Sequence, residues 1–491
     1  MLSPSSRLRE YEVWGRIGGG GMSDVYLARH VDLCAPVVVK TLKLSVGSNA
    51  DERVQRLRTE AIITSRIRSP RVVRPMDVGV TDDGTPYLVQ DYVDGLDLAE
   101  FDAARRKALG VGLPLWYVCE VVAEVASGLA AAHRTGVLHR DLKPSNLFVS
   151  PEEGVQLGDF GVAVARGSAE GTPLELAGTL EYVAPETLRS GDFHRRTDVY
   201  GLGATAFQLR YGRPPYTTLR DVLDASVSPA FPRPESPEEA YFQQAVAHML
   251  DQEPERRWND MGRVRRTFRQ LADLLRRPIH AAREGDAIHV MGVHVTTRVG
   301  DLATATTDGA VCSANSDFTM DVGVGASLVK AGGRVIEAEA KAGGAQPLGA
   351  CISTGAGTLA FRRVLHAVAA WSEVSCVSRS AQRALLRAET EGLRSLSIPA
   401  IGTGAARVSL ESSATSLAAS LELHLQLGGS RFTHLDFVLF DEAKRRTFAE
   451  VLESVFLGAR HAADVGLVDS GAMSDESSTV VRKEPLRAGP T

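Results

Sequence analysis

The sequence predicts two folded domains, one of strands followed by helices and a second of the α/β or α/β/α class. A chain of 491 residues is longer than one hydrophobic core usually organises. Residues 11–100 show mostly strand-like patterns with one helical segment around 51–67, whereas residues 115–276 carry apolar side chains at helical spacing. After residue 287, β-branched runs alternate with alanine-rich helical stretches, which is typical of a sheet covered by helices.

Changes of composition predict the domain boundaries. The first domain spans 11–277 and ends where the helical stretch LADLLRRP reaches Pro278. The polar stretch 278–287 is the predicted linker, and the second domain spans 288–457. Residues 463–491 are rich in Ser, Gly, Asp and Glu with few large apolar residues, and are predicted to be disordered.

Bulk composition restricts the expected partners. A formal net charge of −5 with 23% charged residues predicts neither nucleic-acid binding nor attraction to an anionic membrane. The first ten residues lack the apolar core of a signal peptide, and no window approaches ~18 uninterrupted apolar residues. The five cysteines are scattered without a CxxC pair, which indicates a reducing compartment. We therefore expect a cytoplasmic protein.

The N-terminal lobe holds a glycine run and a lysine that together suit a phosphate ligand. Between Ile17 and Tyr26 four glycines join two strand-like segments, and backbone N–H groups can approach phosphate oxygens closely where side chains are absent. A flexible turn explains this run equally well. Lys40 ends the apolar strand VVVK, and Glu60 follows twenty residues later in a helical segment where it could pair with the lysine.

The strongest chemical signal is the string HRDLKPSN at residues 139–146, followed by Asp159-Phe160-Gly161. Asp141 can orient an incoming hydroxyl and accept its proton, and Lys143 can neutralise charge on a transferring phosphoryl group. Asn146 and Asp159 offer the hard oxygen ligands that Mg²⁺ prefers. A polar turn followed by a chance tripeptide is the alternative, but an eight-residue string is too specific for it.

On these motifs, residues 11–277 resemble the bacterial eukaryotic-like (Hanks-type) Ser/Thr protein kinases. The resemblance implies the bilobal α+β protein kinase fold, with an N-lobe at 11–93 and a C-lobe at 94–277. It also implies ATP and Mg²⁺ as cofactors and protein Ser/Thr hydroxyls as substrates. Back-to-back dimers are common in that family, so a kinase homodimer is a candidate assembly. The ATP-binding residues that it implies are Ile17, Gly18, Gly20, Gly21, Ser23, Val25, Val38, Lys40, Asp91, Val93 and Phe148.

The same resemblance assigns supporting roles. Lys40 would contact the α- and β-phosphates and be held by Glu60, and residues 90–93 would form the gatekeeper and hinge. Asp198 would brace the catalytic loop, and Arg257 would pair with the Glu186 carboxylate. The departures are Ser23 in place of the third glycine, Val38 for the usual alanine, Phe148 at the adenine floor and Asp91 for the usual hinge glutamate.

Arg140, which precedes the catalytic aspartate, suggests control by phosphorylation, because such an arginine is best satisfied by a phosphate on the activation segment. That segment carries Ser168, Thr172 and Thr179. Thr172 is the first candidate for the regulatory phosphate and Ser168 the second. Thr179 would instead face the substrate hydroxyl and Asp141.

Four short loops in the second domain each follow an apolar strand-like run: 299–301, 312–315, 321–326 and 399–404. Loops at strand ends are where α/β sheets bind phosphorylated ligands, although tight turns explain each loop taken singly. In this order the loops resemble those of a macrodomain, the α/β/α module that binds ADP-ribose. The resemblance implies an ADP-ribose site formed by Asp301 at the adenine, Asn315 at the distal ribose, and Gly323, Val324, Gly402, Thr403 and Gly404 around the pyrophosphate.

The second domain also departs from its family. Asp321 and Val322 replace two glycines of the phosphate loop, and Gly325 stands where hydrolytic macrodomains often carry an acid. We therefore expect binding rather than hydrolysis. His366 and His133 are predicted to be structural rather than catalytic.

The expected protein is a Ser/Thr kinase whose C-terminal domain senses or recruits through ADP-ribose or a related nucleotide. Two alternatives stay open. One is a bifunctional kinase and ADP-ribosyl hydrolase, against which Gly325 argues. The other is a low-activity kinase that acts as a nucleotide-binding scaffold, against which the intact Lys40, Asp141, Asn146 and Asp159 argue.

Overall fold

The computed structural model describes residue 2 and the ranges 6–19, 23–42, 50–160, 180–371, 374–404 and 406–458. Within these ranges the chain forms a bilobal α+β domain and a three-layer α/β/α domain, as the sequence predicts.

The N-lobe is a six-stranded antiparallel sheet in the order β1-β2-β3-β4-β6-β5, with helix α1 beside it. Val37, Val38 and Val39 of β4 are all buried, because this central strand is covered on both faces. The elements are β1 Arg7–Leu8, β2 Tyr11–Gly19, β3 Ser23–His30, β4 Pro36–Leu42, α1 Ala50–Thr64, β5 Pro75–Val80 and β6 Pro86–Asp91.

The C-lobe is mainly helical and is organised around α3 (Leu115–Arg134), which packs along the last helix of the lobe. By length and composition α3 could cross a membrane, but 78% of its apolar window is buried inside the lobe. The other elements are β7 Leu96–Asp97, α2 Leu98–Leu109, β8 Leu147–Ser150, β9 Gly154–Leu157, α4 Pro185–Ser190, α5 Arg195–Tyr211, α6 Leu219–Leu223, α7 Pro237–Met249 and α8 Met261–Leu275.

The second domain is built on an eight-stranded mixed sheet in the order β10-β11-β12-β19-β18-β13-β15-β14. Neighbouring side chains of β13 enter different cores, since Val311 packs in one apolar cluster and Ala310 and Cys312 pack in another. The strands are β10 Ala281–Glu284, β11 Ala287–Val290, β12 Val293–Val299, β13 Gly309–Ala314, β14 Cys351–Gly355, β15 Arg363–Val368, β16 Ala370–Trp371, β17 Val374–Ser375, β18 Ser395–Pro399 and β19 His434–Leu439.

Five helices complete the second domain. They are α9 Gly323–Gly332, α10 Val335–Ala342, α11 Val377–Thr390, α12 Leu410–Gln426 and α13 Glu442–Leu457. The five central strands β12, β19, β18, β13 and β15 run parallel, so their carboxyl ends lie along one edge of the sheet. The loops with the predicted ligand residues follow these strands.

The predicted linker at 278–287 is wrong in its second half. Ala281–Glu284 forms the edge strand β10, which pairs with β11 across a two-residue turn. Gly285 adopts φ 60° in this turn, a conformation that glycine reaches without a Cβ penalty. The connection between the domains is therefore limited to residues 276–280, between α8 and β10. The predicted disordered tail at 463–491 lies outside the described residues.

The two domains pack against each other, with α2 of the kinase lobe lying beside α11. Arg105 of α2 is 1% exposed and donates to the carbonyl oxygens of Leu427 and Gly428, at 2.9 and 2.5 Å. Burial lowers the pKa of Arg105 to about 10, so the guanidinium remains charged at neutral pH. Leu427 also joins the hydrophobic core of the C-lobe, so this contact is partly a shared core.

Candidate functional sites

The catalytic loop brings together three side chains of the HRDLKPSN string. Lys143 Nζ lies 2.8 Å from Asp141 Oδ2. Asn146 Nδ2 donates to the same carboxylate at 3.1 Å and to the Asp141 carbonyl oxygen at 2.7 Å. A short 3-10 turn at Pro144–Asn146 makes this contact possible because it folds Asn146 back over the loop. Because Asn146 Nδ2 donates both of these hydrogen bonds, the side-chain oxygen of Asn146 is the atom that would contact a cation.

Lys40 and Asp159 face the same cleft. Lys40 Nζ lies 2.8 Å from Asp159 Oδ2. This ion pair joins the N-lobe sheet to the start of the Asp159-Phe160-Gly161 tripeptide. The side chain of Glu60, the predicted partner of Lys40, lies outside the described residues. The carboxylate of Asp159 and the amide oxygen of Asn146 form an oxygen donor set that fits Mg²⁺.

A buried carboxylate holds the catalytic loop in place. Asp198 accepts hydrogen bonds from the backbone N–H groups of His139 and Arg140, at 3.0 and 2.9 Å. His133 Nε2 lies 2.7 Å from the same carboxylate, which suits the structural role expected of this histidine. Arg140 adopts φ 70°, an unfavourable conformation for a residue with a Cβ, and the two hydrogen bonds help to fix it there.

His139 connects the catalytic loop to the Asp159-Phe160-Gly161 tripeptide. Its Nε2 contacts the Gly158 carbonyl oxygen at 2.9 Å, and its ring packs against Phe160 at 4.7 Å between centroids. The side chain is fully buried, and burial lowers the pKa of His139, which favours the neutral ring. The histidine therefore positions the two loops rather than exchanging protons with substrate.

Glu186 and Arg257 form the predicted buried ion pair. Both guanidinium Nη atoms of Arg257 donate to the Glu186 carboxylate at 2.8 Å, and the Arg257 side chain is completely buried. Burial raises the pKa of Glu186, but the hydrogen bonds and charge of Arg257 outweigh it and leave the pKa below its ordinary value. The carboxylate is therefore ionised at neutral pH.

The predicted ATP-binding residues Ile17, Val25 and Val38, here called the adenine roof, form an apolar and largely buried surface. Ile17 and Val38 are 7% and 6% exposed and share one hydrophobic cluster, against which Val25 and the hinge residue Tyr92 pack. The Asp91 side chain pairs with Arg74 at 2.9 Å, and the Asp91 N–H donates to the Arg74 carbonyl oxygen, so both groups already have partners in the protein.

The other residues of the predicted ATP site are only partly described. Val93 is buried in the hinge, and its carbonyl oxygen accepts the Gly95 N–H. Phe148 lies so close to Gly158 that a Cβ on the glycine would be 2.6 Å from the ring. Gly18 lies in β2 and Ser23 begins β3. Gly20, Gly21, Ser168, Thr172 and Thr179 lie outside the described residues.

In the second domain, the predicted ligand residues gather at the carboxyl ends of neighbouring strands. Asn315 follows β13 directly, and the loop 400–404 follows β18, which is next to β13 in the sheet. Gly402 N donates to Ser313 Oγ at 3.3 Å, which ties the two loops together. The Asn315 side chain accepts from the Thr319 N–H at 2.9 Å, and this contact fixes its orientation.

Asp301 and the start of α9 form the other half of this site. Ser327 Oγ of α9 lies 2.6 and 2.5 Å from the two carboxylate oxygens of Asp301. Gly323 and Val324 are the first residues of α9, so their N–H groups belong to the helix end that favours anions. No sequence signal marks Ser327 or Ser313 as supporting residues, because both contacts depend on how α9 and β18 pack.

His366 is buried and lies next to the same loops. Its Nε2 contacts Thr354 Oγ1 at 2.9 Å, and its ring packs against Phe318. Burial lowers the pKa of His366 to about 4, so it is neutral at physiological pH. These contacts suit the structural role expected from the sequence.

Comparisons with known families agree with this architecture. The protein kinase domain family matches residues 11–268, and the macro domain family matches residues 311–417. The first match covers more than half of the chain, which therefore belongs to the protein kinase family. The second match establishes a macro domain and includes every predicted ADP-ribose residue except Asp301.

Among curated proteins, the chain is 29% identical over 306 residues to the Ser/Thr-protein kinase PknB of Mycobacterium leprae, covering 59% of this chain and 46% of that protein. It is 36% identical over 217 residues to the Ser/Thr-protein kinase pkn3 of Myxococcus xanthus, covering 42% and 38%. The chain thus spans less than half of the length of these relatives. A solved PknI kinase domain from Mycobacterium tuberculosis is 26% identical, with a TM-score of 0.43, covering 55% of this chain and 100% of that one.

Proposed function

We propose that the chain is an ATP-dependent Ser/Thr protein kinase that transfers the γ-phosphate to protein hydroxyls. The observation that carries this proposal is that the loop with Asp141, Lys143 and Asn146 is joined to the segment with the Lys40–Asp159 pair, because Gly158 N donates to the Asn146 carbonyl oxygen at 2.9 Å. Mg²⁺ bound by Asn146 and Asp159 would neutralise negative charge on the phosphates.

The residues of the chain have distinct parts in the transfer. Asp141 accepts a hydrogen bond from the substrate hydroxyl and takes its proton as the hydroxyl oxygen bonds to the γ-phosphorus. The bond from the γ-phosphorus to the bridging oxygen breaks, and ADP leaves with that electron pair. Lys143, 2.8 Å from Asp141, is placed to hold the charge of the moving phosphoryl group.

The direct test is phosphate transfer from γ-labelled ATP to an acceptor protein, followed by analysis of the phosphorylated amino acids. Labelled phosphoserine or phosphothreonine is the expected result. Label found only on tyrosine, or no transfer at any ATP and Mg²⁺ concentration, would contradict the proposal.

For the macro domain we propose binding of ADP-ribose or a related nucleotide, without hydrolysis. Asp301 supplies an acceptor for the adenine amine, and Asn315 supplies a contact to the ribose. The N–H groups of Gly323 and Val324 supply donors for the pyrophosphate. A Cβ at Gly325 would lie 3.2 Å from Met320 Cβ, so an acidic side chain there would require a shift of the loop. Gly325 itself offers no acidic group at this position, which favours binding alone over the hydrolytic alternative.

The Asn315→Ala variant is expected to weaken ADP-ribose binding about 10-fold or more, since a directed amide contact contributes about 1.4 kcal/mol. Isothermal titration calorimetry measures the affinity. Asn259→Ala, at an exposed position of the C-lobe, is the matched control and should bind as the unmodified chain does. No binding by the unmodified chain at millimolar ADP-ribose would refute the site.

We further propose that the protein acts in the cytoplasm on protein substrates. The net charge of −5 and the scattered cysteines support this location. Cell fractionation with a tagged chain tests it, and recovery mainly with membranes would contradict it.

A further inference from the structure

The macro domain presents one face to the nucleotide cleft of the kinase. This docking face consists of the loop 343–350 and the first two turns of α11. Leu348 of the loop is 2% exposed and belongs to the same hydrophobic cluster as Ile17 and Val38 of the adenine roof. Its Cδ1 atom lies 3.5 Å from the position that a Cβ on Gly15 would take. The loop therefore packs into the same apolar cluster as the residues predicted to contact the adenine ring.

The start of α11 contacts the hinge segment directly. The backbone N–H groups of Ser378 and Arg379 donate to the Asp94 carboxylate at 2.9 and 3.0 Å. A carboxylate at a helix N-terminus is stabilised by the unpaired N–H groups and the helix dipole. Tyr92 of the hinge also donates to Asp94, at 3.0 Å. The hinge side of the cleft is thus joined to the macro domain by two hydrogen bonds to one carboxylate, which Tyr92 also holds in place.

Two arginines of α11 connect the docking face to both lobes. The Arg379 guanidinium donates to the carbonyl oxygens of Ile17 in β2 and Gly95 after the hinge, at 3.5 and 3.4 Å. Arg383 forms a bidentate ion pair with Glu100 of α2, at 2.6 and 2.8 Å. Arg383 also donates to the Gly349 carbonyl oxygen at 2.7 Å, so the same side chain holds the loop that carries Leu348.

We propose that the docking face and the adenine ring of ATP compete for the same apolar surface, so that the docked arrangement is a low-affinity state of the kinase. The inference rests on the proposed function for the identity of the nucleotide. The docked loop also contacts the proposed ADP-ribose site, because Gln346 N donates to the carbonyl oxygen of Ser316, the neighbour of Asn315. A ligand bound at Asn315 would therefore lie beside a segment that is hydrogen-bonded to the loop 343–350. That loop is the one that packs against the kinase cleft.

The test is the dissociation constant of a fluorescent ATP analogue for the full-length chain. Leu348→Asp places a negative charge in the apolar contact. Arg383→Glu replaces the ion pair with two carboxylates that repel each other. Each is expected to bind the analogue at least about 10-fold more tightly than the unmodified chain, provided that circular dichroism shows both to be folded. Equal or weaker binding by both variants would overturn the inference.

A charge exchange provides the specific control. The double variant Glu100→Arg with Arg383→Glu restores the ion pair in reverse, although not the hydrogen bond to the Gly349 carbonyl oxygen, and should bind the analogue more weakly than Arg383→Glu alone. Arg446→Glu, at an exposed position of α13, should leave it unchanged. Because binding is measured without turnover, a chain that binds the analogue but transfers no phosphate would contradict the proposed function and leave this inference standing.

A separate cluster at the edge of the second sheet has the composition of a metal site. One ligand atom from each of Glu284, His289 and His294 lies within 4.8 Å of the other two. His289 and His294 are direct partners in the antiparallel pair β11–β12, and their ring centroids are 3.6 Å apart. Glu284 Oε2 lies 2.7 Å from His289 Nε2, a buried atom that forms no hydrogen bond within the described part of the chain.

The geometry points to a site for a divalent transition metal such as Zn²⁺, with two imidazoles and one carboxylate as ligands. Calorimetric titration of the full-length chain with Zn²⁺ in excess Mg²⁺ tests it, because Mg²⁺ occupies sites made only of oxygen ligands. His289→Ala and His294→Ala should each weaken one zinc-binding event at least about 10-fold, whereas His248→Ala in α7 should not. Zinc binding that is the same in both cluster variants and in the unmodified chain would overturn the assignment.

Discussion

The Asp141→Asn variant is expected to lose phosphate transfer by about 1,000-fold or more, which corresponds to about 4 kcal/mol of transition-state stabilisation. Asparagine has nearly the same shape as aspartate but cannot take the hydroxyl proton. It also removes the negative charge that lies 2.8 Å from Lys143. Initial rates with γ-labelled ATP and an acceptor protein measure the loss.

Two further measurements identify the cause of that loss. Asp273→Asn makes the same chemical change at an exposed position of α8 and should retain full activity. Asp141→Asn itself should bind the fluorescent ATP analogue as tightly as the unmodified chain, because the substitution affects the hydroxyl rather than the adenine pocket. Equal phosphate transfer by Asp141→Asn and the unmodified chain would refute the assignment of Asp141 as the catalytic base.

The Arg257→Met variant is expected to lower the free energy of unfolding of the kinase domain by about 3–5 kcal/mol, because it leaves the Glu186 carboxylate buried without its partner. Denaturant unfolding of the chain, followed by tryptophan fluorescence, measures the change. Arg196→Met is the matched control, since Arg196 pairs with Glu255, a carboxylate that is 81% exposed, and such pairs contribute about 0–1 kcal/mol. A loss in Arg257→Met no larger than in the control would show that the pair is not a stabilising element.

The same ion pair predicts a dependence on pH. Arg257 holds the pKa of Glu186 below its unfolded value of about 4.3 in spite of burial, so the native state binds fewer protons than the unfolded state in that range. The stabilisation is fully present above the unfolded pKa and is lost as pH falls through the folded pKa. The difference in stability between the unmodified chain and Arg257→Met should therefore shrink below about pH 4.

Much of the kinase cleft could be predicted from the sequence because its chemistry is local. Asp141, Lys143 and Asn146 lie within six residues of each other, and one 3-10 turn is enough to bring them into contact. The Glu186–Arg257 pair joins residues far apart in the chain and was predicted only through the family resemblance. Its geometry agrees with that prediction.

The contacts between the domains could not be predicted in this way. Leu348 is one apolar residue in the glycine-rich stretch AGGAQPLGA, and nothing local distinguishes it from a residue of the macro domain core. Asp94 has the sequence context of an ordinary turn, yet its partners are the N–H groups of residues 378 and 379, almost three hundred positions later. The sequence predicts a linker that extends too far along the chain, because β10 is a short strand with mostly exposed residues and resembles a polar loop.

The short connection at residues 276–280 keeps the two domains close to each other even when they are not docked. A link of this length holds the two domains at an effective concentration in the millimolar range, so even a weak mutual affinity keeps most molecules docked. A macro domain supplied as a separate polypeptide at micromolar concentration would reproduce little of this closure. Any ligand that opens the cleft must favour the undocked form strongly, since a shift from 1% to 99% open requires about a 10,000-fold preference.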